Sequence, residues 1–157
     1  MDVIKQCGID FLIMSEPEAL AISKSTSFEN VATFLKSNLP QTFAIVTMGD
    51  KGAVVLYNGE KIMTQSVGTV NVIDSTGAGD AFAAGFIDGF LIALFENLFK
   101  SSDVTQEGDN NYDNAFLRGI KEGLKRGCAV GTANVMTVGA SKPSTRSLIE
   151  HCFDAQT

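Results

Sequence analysis

Apolar residues follow two rhythms along this chain. Short unbroken runs, "IDFLIM" (Ile9 to Met14) and "FAIVTM" (Phe43 to Met48), suit strands buried on both faces. Longer stretches repeat their apolar positions every three or four residues, as helices do. "SEPEALAIS" carries helix-start signals, with Ser15 as N-cap, Pro17 close behind, and Glu16 and Glu18 in the first turn. "FENVATFLKSN" sets Phe28, Val31, Ala32 and Leu35 on one face, and Pro40 follows it. "AVVLY" and "KIMTQS" flank Asn58-Gly59, a two-residue hairpin signal. "VNVI" (Val70 to Ile73) is a further strand candidate. From Gly77 to about Phe99 the pattern is apolar on nearly every side, which predicts a buried helix. Lys100 to Asp113 is polar, acidic and aperiodic, and reads as an exposed loop. A helix from Asn114 to about Met136 follows, its Gly127, Ala129, Gly131 and Ala133 allowing close packing. A last helix covers roughly Thr145 to Phe153. Helices alternating with buried strands indicate an α/β layered sheet.

Composition narrows the classes of function. A chain of 157 residues, 45% hydrophobic and 19% charged, fits one globular domain with a sizeable core. A net charge of −6 without a Lys or Arg cluster disfavours a nucleic-acid surface. The most apolar run, "GFLIALF" from Gly89, is shorter than a membrane span and follows Asp88, so no membrane is expected. No basic segment followed by an apolar one opens the chain. Three widely spaced cysteines, Cys7, Cys128 and Cys152, fit reduced thiols in the cytoplasm and offer no paired zinc spacing. The single histidine, His151, sits on the terminal amphipathic stretch and reads as a surface residue. That argues against Ser-His-Asp, Cys-His and zinc-hydrolase chemistry alike.

The chemistry concentrates in "NVIDSTGAGDAFAAGF", residues 71 to 86. It lacks the third glycine of a dinucleotide fingerprint, the Gly-Lys-Ser/Thr of a Walker loop and a hydrolase elbow. A tight turn feeding a closely packed helix is one reading of "GAG". The whole stretch says more. Small residues leave the amides of Gly77, Ala78 and Gly79 uncovered at the positive end of a helix, which makes an anion site. Asp80, just beyond, would repel a phosphate as a ligand, but it suits a base that deprotonates a hydroxyl attacking that phosphate. Each amide holding the developing charge is worth ~3 kcal/mol by analogy with other oxyanion donors. The residues point to phosphoryl transfer to an alcohol.

"DSTGAGDAFAAGF" resembles the signature D-T-x-G-A-G-D-x-F of the ribokinase-like (PfkB-type) carbohydrate and nucleoside kinases. Asp74, Thr76, Gly77, Ala78, Gly79, Asp80 and Phe82 match it, with Ser75 where threonine is commoner. The resemblance implies a three-layer α/β sandwich with a mostly parallel central sheet. It makes Asp80 the catalytic base and the Gly77–Gly79 amides the hole for the γ-phosphate of ATP.

Other segments extend the likeness. "VTMGDKGAVV" is similar to the family's T-x-G-x-x-G turn, which implies that Thr47, Gly49 and Gly52 line the ATP phosphates and ribose; alone it would be a turn between strands. "GCAVGTANVMTVGASKPS" resembles the segment that walls the adenine pocket, where Cys128 takes the adenine side, and then closes a monovalent-cation loop. A buried thiol in helix packing is the alternative for Cys128. The implied ligands of K+ are Asp74 and Thr76, with carbonyls near Asn134, Thr137 and Gly139, and Ser144 nearby; a hard oxygen cage suits that ion. Asp74 equally fits a capping role. "DFLIMSEPEAL" is similar to the strand leading into N-x-x-E, which helps place Mg2+ and phosphate. Glu18 matches and Ser15 replaces the asparagine, while a first-turn carboxylate beside the helix dipole is the plainer reading of Glu18.

The likeness covers residues 1–157, yet only about the C-terminal half of a typical member. The N-terminal strands, the lid and the segments that grip the sugar are not within it. An unfinished sheet edge and exposed apolar surface are therefore expected. The implied reaction is ATP plus a sugar or nucleoside hydroxyl giving a phosphate ester and ADP. A non-catalytic nucleotide-binding or regulatory remnant is the alternative. Dimerisation, which in the family uses the lid, is expected only of a longer form.

Overall fold

The computed structural model describes residues 8–68, 70–100, 111–139 and 144–156. The chain divides into two compact units, residues 1–66 and 67–157.

The first unit is a sheet with two helices. Strand β1 (Phe11–Ser15) runs directly into helix α1 (Glu16–Ser23), α2 (Phe28–Asn38) follows, and the chain returns as β2 (Phe43–Thr47), β3 (Ala53–Tyr57) and β4 (Glu60–Gln65). The strands lie in the order β1-β2-β3-β4. β1 and β2 are parallel, with Ser15 opposite Thr47, so both carboxyl ends meet at one edge of the layer. The other two pairings are antiparallel. This chain's part of the expected parallel sheet is therefore mixed. The reason is short connections: a two-residue turn permits only antiparallel neighbours, while the parallel pair is bridged by two helices. Asn58 and Gly59 take positive φ of 50° and 73° in that turn, as the Asn-Gly signal requires.

Alternation decides the core. Ala44 and Val46 join Val54, Leu56 and Met14 in a cluster with Ala19, Val31 and Leu35 of the helices and Leu39 just after α2. Ile45 and Val55, paired in register between them, point to the other face and are fully buried too. Each such side chain contributes roughly 1.5–3 kcal/mol through its removal from water.

The second unit is helical: α3 (Ala78–Lys100), α4 (Asn111–Val135) and α5 (Arg146–Asp154). The α3–α4 pair is built from rings set on glycines. Phe82, Phe86 and Phe90 recur every fourth residue with ring centroids 6.4 and 6.1 Å apart. They lie against Gly127, Gly123 and Gly119 in turn, where an added Cβ would stand about 3 Å from ring atoms. Ala129 and Ala133 serve a different face, packing with Cys152 of α5. The small residues of α4 thus face two neighbours and not one.

Three expectations change. "VNVI" has no strand partner among the described residues; the Ile73 and Asp74 amides donate instead to Val135 O, at 2.7 and 3.2 Å, at the end of α4. Helix α3 is not buried all round, since Ile87 and Phe95 are 54% and 51% exposed. Exposed apolar surface was expected, and part of it lies on this helix, with Val72, Ile73 and Val138 exposed outside it. The α3 stretch Ala78–Glu96 is also long and apolar enough, by length and composition, to cross a membrane, which the shorter "GFLIALF" run did not suggest. Within it Asp88 pairs with Arg126 of α4. Finally, residues 111–113 of the expected loop are helical, and 101–110 lie outside the described residues.

Candidate functional site

In the first unit the candidate residues gather at the carboxyl ends of the parallel strands, the edge at which open α/β sheets bind ligands. Ser15 caps α1 and closes a capping box with Glu18. The Ser15 amide and hydroxyl donate to Glu18 Oε2 at 2.7 and 2.8 Å, and the Glu18 amide donates back to Ser15 Oγ at 3.4 Å. The Ser15 amide, and then its hydroxyl, hold the Glu18 carboxyl below the usual range. Glu18 therefore has a structural occupation, the plainer of its two readings, and its Oε1 accepts nothing among the described residues.

Across the sheet, Thr47 ends β2 and is followed by a single 3-10 turn, Gly49–Lys51. Gly49 has φ of 59° and open space where a side chain would stand. Gly52, at φ 88°, is different: its Cβ would lie 1.9 Å from Gln65 O. The second glycine is required by close backbone approach to β4.

In the second unit the turn before α3 keeps its donors. Gly77, at φ 78°, accepts the Ala81 amide at 2.9 Å and so starts the helix. The Ala78 amide donates to Ser75 O at 3.2 Å and is engaged. The amides of Gly77, Gly79 and Asp80 have no acceptor among the described residues. The expected trio of Gly77, Ala78 and Gly79 is thus two of its members plus the Asp80 amide. The Asp80 carboxylate is exposed and unpartnered among the described residues. An added Cβ on Gly79 would meet open space.

A hydrogen-bonded strap ties this turn to the end of α4. Asp74 Oδ1 accepts the Thr76 amide at 2.9 Å and Oδ2 accepts the Gly139 amide at 3.1 Å. The Thr76 amide foremost, then its hydroxyl and the Gly139 amide, hold the Asp74 carboxyl below the usual range. Asn134, 7% exposed, donates through Nδ2 to Thr76 O at 3.0 Å. Asn134 O in turn accepts the Thr137 hydroxyl and amide at 3.0 and 3.1 Å.

Five of the expected K+ ligands, Asp74, Thr76, Asn134, Thr137 and Gly139, are therefore brought together. The oxygens of Asp74 and the carbonyls of Thr76 and Asn134 already accept N–H or O–H donors, while the Thr137 and Gly139 carbonyls accept none among the described residues. Ser144 makes no hydrogen bond among the described residues, and 140–143 lie outside them. No three His, Cys, Asp or Glu side chains converge as a metal cage among the described residues. Cys128 is 3% exposed, and burial pushes its thiol up to about 12. It behaves as a small packed thiol in α4. The side chain of Asn134 is the residue that sequence reasoning missed, having weighed only its carbonyl. Its one signal was an amide among small residues at the end of a close-packed helix.

The pfkB family carbohydrate kinase model matches residues 1–146. A fructokinase of Escherichia coli is 38% identical over 80 residues, covering 51% of this chain and 26% of that enzyme. A nucleoside kinase of Methanocaldococcus jannaschii is 35% identical over 83 residues, 52% of this chain and 26% of its own length. The structure of a Vibrio cholerae O395 fructokinase, solved with fructose, ADP and calcium ion, superposes with a TM-score of 0.68 at 21% identity, over 92% of this chain and 41% of that one. The fold is the expected ribokinase-like α/β class. The chain spans about a quarter of the length of the curated relatives it matches.

Proposed function

The chain belongs to the pfkB carbohydrate kinase family, and we propose that it carries the ATP side of phosphoryl transfer to a sugar or nucleoside hydroxyl. One observation carries this reading: among the described residues, the amides of Gly77, Gly79 and Asp80 have no acceptor and stand beside a carboxylate without a partner at the start of α3. The amides, at the positive end of a 23-residue helix, would hold terminal phosphate oxygens. Asp80 would take the proton of the acceptor hydroxyl. The hydroxyl oxygen would bond to the γ-phosphorus as the bond to the β-phosphate oxygen breaks and ADP departs. In the first unit, taken by itself, Thr47 and Gly49 end β2 in an open turn that would suit a nucleotide.

Mg2+, when bound with ATP, neutralises phosphate charge; it keeps several waters and takes one or two carboxylates. In the first unit by itself, Glu18 keeps Oε1 available to a metal without opening its capping box. No step is assigned to K+.

The alternative reading is a nucleotide-binding module without catalysis. The test uses labelled ATP with fructose, ribose, adenosine and cytidine, on this chain and on a longer form if one exists. Transfer to any acceptor, abolished by Asp80→Asn, supports the kinase. ATP binding without transfer to any acceptor selects the module. The proposed setting is the cytoplasm.

A further inference from the structure

We propose that the side-chain amide of Asn134 is a positioning residue: it straps the end of α4 to the turn before α3 and sets the spacing of the free Gly77, Gly79 and Asp80 amides. The inference rests on the nucleotide-binding reading above for its consequence, though not for its geometry. Asn134 is a buried polar side chain in a helix otherwise made close-packing by glycine and alanine, and such a group persists only where it is hydrogen-bonded. Its Nδ2 reaches Thr76 O, 58 residues away in sequence and immediately before Gly77.

Two further links run in parallel. Val135 O accepts the Ile73 and Asp74 amides, and Asp74 Oδ2 accepts the Gly139 amide. The segment 73–76 is thereby held at both its ends and at its carbonyl by one stretch of chain, 134–139. Gly77 follows at positive φ, so a rotation at Thr76 would swing all three free amides together. Asn134 fixes that rotation from the side facing α4. An anion site made of peptide groups works only when its donors are held before the ligand arrives.

The test compares the 157-residue chain with Asn134→Leu, which keeps the volume and removes the donor, and with Asp74→Ala, which loosens the strap from its exposed side. Amide exchange in the absence of ligand reads the strap, and amide shifts induced by a non-hydrolysable ATP analogue read its consequence. Exchange at Ile73, Asp74 and Thr76 rises in Asn134→Leu while mid-helix amides of α3 and α4 keep their protection. Affinity for the analogue falls about tenfold, as for one buried hydrogen bond, with the shifts at Gly77, Gly79 and Asp80 reduced. Should Asn134→Leu fail to fold, Asp74→Ala carries the same two expectations. Wild-type exchange at 73–76 in either folded variant, or unchanged affinity for the analogue, overturns the proposal. If the unmodified chain binds no analogue, the nucleotide-binding reading fails, and the exchange arm alone decides the strap.

Discussion

Helices α1 and α3 both begin with a carboxylate in the first turn, and the two starts are finished in opposite ways. At α1, Ser15 and Glu18 close on each other and satisfy the donors that a helix start leaves over. At α3 the corresponding carboxylate, Asp80, reaches no partner among the described residues, and three amides around it find no acceptor there. Serine precedes one helix and glycine the other. A serine hydroxyl can fold back on the helix it caps, whereas glycine has nothing to fold back and leaves peptide nitrogens to a ligand. The first start contributes stability to the sheet end it adjoins. The second forgoes that stabilisation and leaves its donors open among the described residues.

Substitutions at the two starts should separate along that line. The largest effect is expected at the open end. In a form with transfer activity, Asp80→Asn lowers kcat at least ~10²-fold and leaves ATP affinity nearly intact, as for a lost general base; steady-state kinetics reads it, and an unchanged kcat removes Asp80 from the chemistry. Next comes the support of the open end. Gly123→Val drives a side chain into Phe86, whose carbonyl lies 2.8 Å from the added Cβ. It should cost roughly 1–3 kcal/mol by denaturant unfolding, and equal stability would mean the helices are not in this contact.

At the closed end, Ser15→Ala should cost about 1 kcal/mol by the loss of a cap. Gly79→Ala is the sharpest contrast: its added Cβ meets open space, so stability holds or rises by roughly 0.5–1 kcal/mol on propensity while nucleotide affinity falls. Affinity that stays level would return Gly79 to a packing role. The smallest effect is in pH. The Glu18 carboxyl lies lower in the folded chain than unfolded, so its contribution is complete above the unfolded value and is lost as pH falls through the folded one. The gap in thermal midpoint between wild type and Glu18→Gln should be widest near neutrality and close in acid; a gap that widens in acid would reverse the assignment.

Much of this was legible from the letters because it is local. Ser15 with Glu18 three residues on, Asn58-Gly59 between strands, and the Gly77–Asp80 start of an apolar helix each act through neighbours in sequence. Chain-local patterns also brought out the family, since its signature is contiguous. What the sequence could not decide is wherever a group had competing partners at long range. "VNVI" has a strand's composition, but its backbone bonds went to the Val135 carbonyl. Asn134 reads as one more polar letter until the fold lays Thr76 beside it. Propensity and patterning fix which element forms, because those energies sum along the chain; tertiary structure alone decides which of several equally able donors and acceptors remain free, because that depends on distances no local pattern records.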